Sequence, residues 1–278
     1  MNVAESEQGS GQTKTMFDLS GRVAIVTGGA SGLGRVFCQT LAEFGADIVI
    51  ADIDEAGAQE TAGMVDALGR RSLVVRTDVR DPDEIDNMVR ETTGKLGTID
   101  ILINNAGITA KAARIGDMAI EDWDRVIATD LRGVFLCTRA VLPVMVRQKR
   151  GNIINNASIY GVRALFEMAA TNANAHYSAA KAGVVSLTRE AAVEYARDGI
   201  RVNCIAPGFH GGTKLSAWIR VPGQEERQAK FEEAILRITP MGRRGTAAEL
   251  RGLIVFLASD ASSFVTGQVF VSDGGICT

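Results

Sequence analysis

The sequence predicts an α/β protein: one doubly wound domain over residues 17–278, built on a parallel seven-stranded sheet. Three observations carry this. From residue 22 onward short β-branched runs alternate with longer helical stretches, the order that βαβ units produce. The runs are apolar throughout instead of alternating, as strands covered on both faces must be. Right-handed crossovers then wind the helices onto both faces of the sheet.

The expected strands are RVAIVT (22–27), DIVIA (47–51), SLVVRT (72–77), DILIN (100–104), GNIINN (151–156), IRVNCIA (200–206) and QVFVS (268–272). Between them, GRVFCQTLAEFG (34–45) and AGVVSLTREAAVEYARDG (182–199) place apolar residues at three- and four-residue intervals, the spacing of helices packed on a sheet. Ahead of the first strand, residues 1–16 (MNVAESEQGSGQTKTM) are polar and small, with neither a basic start nor an apolar stretch, and read as a mobile extension instead of a secretory signal.

Composition excludes several function classes. A chain of 278 residues, 46% hydrophobic and 23% charged, has enough apolar surface for a sizeable core. Its formal net charge of −3 provides no electrostatic footprint for nucleic acid, and no apolar run is long enough to span a bilayer, so neither is an expected partner. Cys38, Cys137, Cys204 and Cys277 are scattered, with no CxxC pair and no histidine at metal-ligand spacing. They read as reduced thiols in a cytoplasmic protein, with no metal site.

In a sheet of this kind ligands gather at the carboxyl ends of the strands. TGGASGLG (27–34) follows the first strand and opens a helix, so Gly28, Gly32 and Gly34, with Ser31 and Leu33 between them, can bring backbone N–H groups to a pyrophosphate. The spacing is GxxxGxG, and an ordinary glycine turn would look similar. The second strand ends at Asp52, where a carboxylate can accept hydrogen bonds from a ribose diol and would repel a 2'-phosphate. Asp52 or Asp54 could instead cap the following helix. Ser31 and Ile53 supply no cation for a 2'-phosphate, so the expected cofactor is NAD, not NADP. In HYSAAKAG (176–183), Tyr177 and Lys181 stand one helical turn apart and share a face. A neighbouring ammonium favours the phenolate and lowers the tyrosine pKa, as proton transfer near neutral pH requires. The alternative is a packed tyrosine beside a solvated lysine.

TGxxxGxG, the acidic end of strand two, NNAG (104–107), a serine after strand five and YxxxK occur in this order. In this combination the chain resembles the short-chain dehydrogenase/reductase family, in its smaller form with one Rossmann-type domain, from about Phe17 to Gly275. The resemblance implies that Tyr177 is the catalytic acid/base, that Lys181 holds the nicotinamide ribose and lowers the Tyr177 pKa, and that Ser158 orients the substrate oxygen. It also implies that Asp78 and Val79 lie near the adenine, that Asn105, Ala106 and Gly107 line the cofactor, and that 202–208 (VNCIAPG), with Pro207 and Gly208, supports the nicotinamide end. Ser158 could simply terminate a strand, and Asn105 could be a turn residue that holds the sheet. The implied activity is NAD-dependent interconversion of a secondary alcohol and a ketone, on a polyol, a sugar or a cyclic alcohol. A 3-oxoacyl thioester reductase is the alternative within the family, and a catalytically impaired NAD-binding regulator or scaffold is the alternative outside enzymology. Enoyl reductases in the family usually space Tyr and Lys more widely. The family tends to form homotetramers, which makes AVLPVMVRQK (140–149) and FVSDGGICT (270–278) candidate interface segments.

The chain departs from the family at three places. Asp130, in ATDLRGVF, replaces an asparagine whose main-chain carbonyl holds a water linked to the lysine; a carboxylate there alters the charge balance at Lys181 and Tyr177. The stretch between Tyr160 and Tyr177 is longer than the family norm, and Arg163, Glu167, Asn172, Asn174 and His176 are candidate contacts for a hydroxylated substrate or ordinary loop residues. After Gly208, Thr213 falls one position later than the family threonine that reaches the cofactor carboxamide. The segment of about 209–236 resembles the family's substrate lid, with Leu215 and Trp218 as an apolar wall and His210 as a substrate contact or an exposed loop histidine.

Overall fold

The computed structural model describes residues 15–165, 173–212 and 225–278. Seven parallel strands form one sheet: β1 (Val23–Thr27), β2 (Asp47–Asp52), β3 (Ser72–Arg76), β4 (Ile101–Asn104), β5 (Gly151–Asn156), β6 (Ile200–Pro207) and β7 (Val269–Ser272). Their order is β3-β2-β1-β4-β5-β6-β7, so the winding reverses between β1 and β4 and opens a crevice at their carboxyl ends. All seven expected strands are present, each within a residue of its expected bounds. β1, β4, β5 and β6 lie inside the sheet and are almost wholly buried, while the edge strands β3 and β7 are half-exposed.

The helices are α1 (Gly32–Glu43), α2 (Glu55–Asp66), α3 (Pro82–Leu96), α4 (Ile120–Ile127), α5 (Gly133–Gln148), α6 (Ala175–Tyr195), α7 (Glu225–Ile238) and α8 (Arg251–Ala258). One core layer joins Phe37 and Leu41 of α1, Val65 of α2 and Ile254 and Leu257 of α8 to Ile48, Ile50 and Ile103 of the sheet. The opposite layer joins Met88 of α3 and Val141 and Met145 of α5 to Ile25, Val49 and Leu102. Helix starts follow local chemistry: Asp81 caps α3 by accepting from the amides of Asp83 and Glu84, with Pro82 in the first turn. Asp54 caps α2 by accepting from Gly57 N at 3.0 Å, which leaves Asp52 for another role.

The described structure begins before residue 17. Met16 O accepts from Ala261 N at 3.1 Å, so the last residue of the expected mobile extension is tied to the fold. In 140–149, Val141, Leu142, Val144 and Met145 are buried in the core, while Ala140 and Val146 are partly exposed and Pro143 is exposed. The cysteines are free thiols; among the described residues no acidic, cysteine or histidine cluster could hold a metal and no helix is long and apolar enough to cross a membrane.

Candidate active site

The carboxyl ends of the strands open into a cleft of about 780 Å³. Gly28, Ser31, Gly32 and Leu33 line its nucleotide end. Gly28 and Gly32 have φ of +67° and +56°, which side-chain-bearing residues rarely adopt. Gly34 lies beneath the turn: a Cβ there would stand 2.0 Å from Gly28 O, so its glycine serves close packing of the turn on the helix instead of lining the cleft. Asp52 borders the same end, with Oδ2 accepting from Ala30 N at 2.9 Å and Oδ1 from Asp54 N at 3.0 Å. Nearby cations are engaged elsewhere, Arg35 with Glu60 and Arg76 with Glu84. Ile53, Asp78 and Val79 complete this wall; Arg80 pairs with Asp78 at 2.5 Å and holds its carboxyl below the usual range.

At the switch point, Asn105 braces the floor. Its Nδ2 donates to Thr27 O and Gly28 O at 3.0 and 3.1 Å, its main-chain N donates to Thr27 Oγ1, and its Oδ1 accepts from Asn156 Nδ2. Asn105 thus holds β1, β4 and β5 in register, the structural role open to it from sequence, while Asn105, Ala106 and Gly107 still line the cleft.

The chemistry-bearing residues meet at the far side of this floor. Ser158 follows β5, Tyr177 and Lys181 stand on one face of α6, and Asp130 sits in a π-helical turn (Ala128–Arg132) between α4 and α5. Such single π turns often mark functional positions because they re-aim one side chain. All four line the cleft. Lys181 Nζ lies 5.4 Å from the Tyr177 ring centroid, donates to Asn156 O at 3.0 Å and faces Asp130 Oδ2 at 3.1 Å. Asp130 Oδ1 accepts from Ile108 N at 2.8 Å. Where the resemblance implied a role for the main-chain carbonyl of residue 130, the side chain itself contacts Lys181. Gly107 makes room for it: a Cβ there would lie 2.8 Å from Asp130 Oδ2 and 3.4 Å from Lys181 Nζ.

This ion pair changes the electrostatics expected from YxxxK. Burial raises the Tyr177 pKa above its usual value; Lys181 and hydrogen bonding with Ser158 pull it down, while Asp130 pushes it up again. The net direction is up, opposite to the lowering expected from Lys181 alone, because desolvation and the extra carboxylate outweigh the ammonium. Burial lowers the Lys181 pKa, but Asp130 and Tyr177 more than restore it, so Lys181 stays charged. Burial holds the Asp130 carboxyl above its usual range despite the pull of Lys181.

Of the other candidates, Pro207, Gly208 and Asn174 line the cleft. His176 does not: it is fully buried, and its Nδ1 accepts from Tyr177 N at 2.7 Å, ordering the first turn of α6 instead of meeting a substrate. Arg163 is engaged with Ile276 O at 2.6 Å. His210 is buried on the cleft wall, not an exposed loop residue, because its two-residue strand (His210–Gly211) pairs with Gly245–Thr246 and the ring packs against that backbone. Glu167, Asn172, Thr213, Leu215 and Trp218 lie outside the described residues.

Two features escaped the sequence reading. Tyr160, Phe209 and Phe231 continue the wall from Tyr177 as T-shaped pairs with centroids 6.1, 6.3 and 6.0 Å apart in turn. Arg244 stands beyond Phe231. The scarcity of aromatic residues, 5% of the chain, was the available signal: a cluster of them flanking Ser158 and Pro207 was worth marking.

Comparison with known proteins agrees with this geometry. The family model described as Enoyl-(Acyl carrier protein) reductase matches residues 28–277. The chain is 42% identical over 255 residues to cis-4-hydroxycyclohexanecarboxylate dehydrogenase of Sinomonas cyclohexanicum, covering 91% of this chain and 96% of that protein. It is 38% identical over 258 residues to a 3-oxoacyl-(acyl-carrier-protein) reductase of Thermotoga maritima, covering 93% and 98%. A gluconate 5-dehydrogenase from Burkholderia cenocepacia J2315, solved in complex with NADP and tartrate, superposes with a TM-score of 0.85 at 34% identity, covering 95% and 98%. With the parallel sheet, the glycine turn and the YxxxK helix all in place, the chain belongs to the short-chain dehydrogenase/reductase family, oxidoreductases that act on CH–OH groups.

Proposed function

We propose that the protein is an NAD-dependent dehydrogenase that interconverts a secondary alcohol, cyclic or polyhydroxylated, and its ketone, with Tyr177, Lys181 and Ser158 at the reacting end. The observation that carries this reading is their convergence in one cleft whose opposite end presents Asp52 and the glycine turn. The residues present fit a dinucleotide: an α1 N-terminus with its amides open to a pyrophosphate, a carboxylate at the ribose position, and a glycine-bordered floor up to Lys181. Asp52 supports NAD over NADP, since a 2'-phosphate would meet its charge and the cations nearby are already paired; the NADP in the Burkholderia relative belongs to that protein.

When bound, the nicotinamide supplies hydride exchange at a ring carbon. This chain's residues do the rest. Tyr177 takes the proton of the substrate hydroxyl in oxidation and returns one to the carbonyl in reduction. Ser158 donates to the substrate oxygen and stabilises charge that develops there. Lys181 binds the cofactor ribose and holds a positive charge beside Tyr177. Asp130 fixes Lys181 through the ion pair. Phe209, His210 and Phe231 of the lid region line the cleft, where the resemblance implies a lid that excludes water. The free thiols support a cytoplasmic setting. A homotetramer is part of the same proposal and rests on the resemblance to the family.

Reduction of a 3-oxoacyl thioester is the second reading, favoured by similarity to the Thermotoga reductase. The test is formation of NADH at 340 nm over a panel of sugars, polyols, cyclic alcohols and a 3-hydroxyacyl thioester, with NAD and with NADP, for the wild type and Tyr177→Phe. The expected result is turnover with NAD that falls by about 10²- to 10⁴-fold in the variant while NAD binding is retained. Cofactor binding with no turnover in either direction would reverse the reading in favour of an impaired NAD-binding regulator or scaffold.

A further inference from the structure

Four cationic side chains line the cleft among the described residues: Arg80, Arg125, Lys181 and Arg244. All four are ion-paired, with Asp78, Asp122, Asp130 and Glu232 in turn. Arg244 is only half satisfied. Its Nε donates to Glu232 Oε2 at 2.7 Å and its Cζ stacks 5.8 Å from the Phe231 ring centroid, but its Nη2 is buried with no acceptor. A donor left without an acceptor beside a cleft is costly, and an acceptor brought by a ligand would satisfy it.

Arg244 is held in one place. Glu232 and Phe231 fix it from α7, and Gly245, the next residue, is paired to His210 in the two-residue ladder. Between Arg244 and Tyr177 runs the wall of Phe231, Phe209 and Tyr160. A molecule lying along that wall would present its hydroxyl-bearing carbon to Tyr177 at one end and whatever it carries at the other end to Arg244. The planar fork of arginine suits a carboxylate.

Resting on the reading of Tyr177 as the reacting end, we propose that Arg244 is a specificity-determining residue that binds a substrate carboxylate remote from the reacting carbon. The substrate class is then a hydroxy or oxo acid whose two functions are separated by an apolar body that lies along the aromatic wall.

The test uses cyclohexanol, hydroxycyclohexane carboxylic acids with the hydroxyl at positions 2, 3 and 4, their methyl esters and a hydroxycyclohexyl phosphate, with NAD-saturated wild type, Arg244→Leu and Arg244→Lys. The wild type should favour at least one acid over its ester by about 10- to 100-fold in kcat/KM. That ratio should fall to near one in Arg244→Leu through KM and be partly kept in Arg244→Lys. Equal use of acids and esters by the wild type, or an acid preference that survives in Arg244→Leu, would overturn the proposal while turnover that depends on Tyr177 left the reading of the reaction intact. Preference for the phosphate over every acid would also overturn it. If nothing on the panel turns over, calorimetric binding to the NAD complex decides: acid binding that is lost in Arg244→Leu and partly kept in Arg244→Lys upholds the carboxylate site, and binding that is equal in all three proteins, or absent, rejects it. Thermal melts of both variants establish that they are folded.

Discussion

Each end of the cleft carries an aspartate, and the two live in opposite surroundings. Asp52 is partly exposed at the end of β2 and is met by two backbone amides, a setting in which a carboxylate can receive further donors from a ligand. Asp130 is wholly buried and is met by one amide and one ammonium. The same side chain therefore does different work: at the open end it can select a ligand, at the closed end it sets the charge of its neighbours. The lesson is that the environment, not the residue type, assigns the role.

The largest effect should come from breaking the closed end. Lys181→Met removes one partner of an ion pair whose side chains are 4% and 0% exposed, and leaves a carboxylate buried without compensation. Such a loss costs about 3 to 5 kcal/mol. Urea unfolding should show a destabilisation of that order, and adding Asp130→Asn should recover most of it, because the double variant buries no uncompensated charge. Strictly additive losses would mean that the two side chains do not act as a pair.

At the open end the expected effect is smaller and falls on ligand choice. Asp52→Asn keeps the shape and one acceptor but removes the charge. The ratio of kcat/KM with NAD to that with NADP should fall by roughly 10- to 100-fold, the worth of a charge-assisted hydrogen bond, with little change in melting temperature. An unchanged ratio would show that Asp52 serves only the turn, through Ala30 N and Asp54 N.

The same contrast explains what was legible in the sequence. The open end is built from consecutive residues: a glycine turn whose φ values need glycine, strands buried on both faces, and an acid at the end of β2. Periodicity and turn chemistry therefore placed all seven strands. Ser158, Tyr177 and Lys181 were legible because YxxxK is one helical turn and the serine ends a strand. Asp130 was visible as a departure, but not the outcome: whether its carbonyl or its carboxylate meets Lys181 depends on a π turn in one segment, the glycine at 107 in another and the burial of both. The upward direction of the Tyr177 pKa was likewise hidden, since desolvation is a property of the assembled cleft. The wall from Tyr160 to Arg244 draws on four separate segments that no local pattern connects.

The finest test of the comparison is Asp130→Asn, which keeps an acceptor for Ile108 N and removes only the charge. Burial and Asp130 together hold the Tyr177 pKa up, against Lys181 and Ser158. Removing the carboxylate charge makes the phenolate less unfavourable, so the Tyr177 pKa must fall. In alcohol oxidation the rate rises with pH as Tyr177 becomes able to take a proton, and this limb should move to lower pH in the variant. In ketone reduction the phenol must be protonated, so the limb on which the rate falls with rising pH should move in the same direction. Both limbs report one group, which makes the pair of profiles a stringent check. A plateau rate changed only a few-fold, with both limbs displaced to lower pH, is the expected outcome. Limbs that stay in place would mean that Asp130 acts only as a structural tether for Lys181, and displacement to higher pH would mean that the positive charge on Lys181 itself depends on its partner.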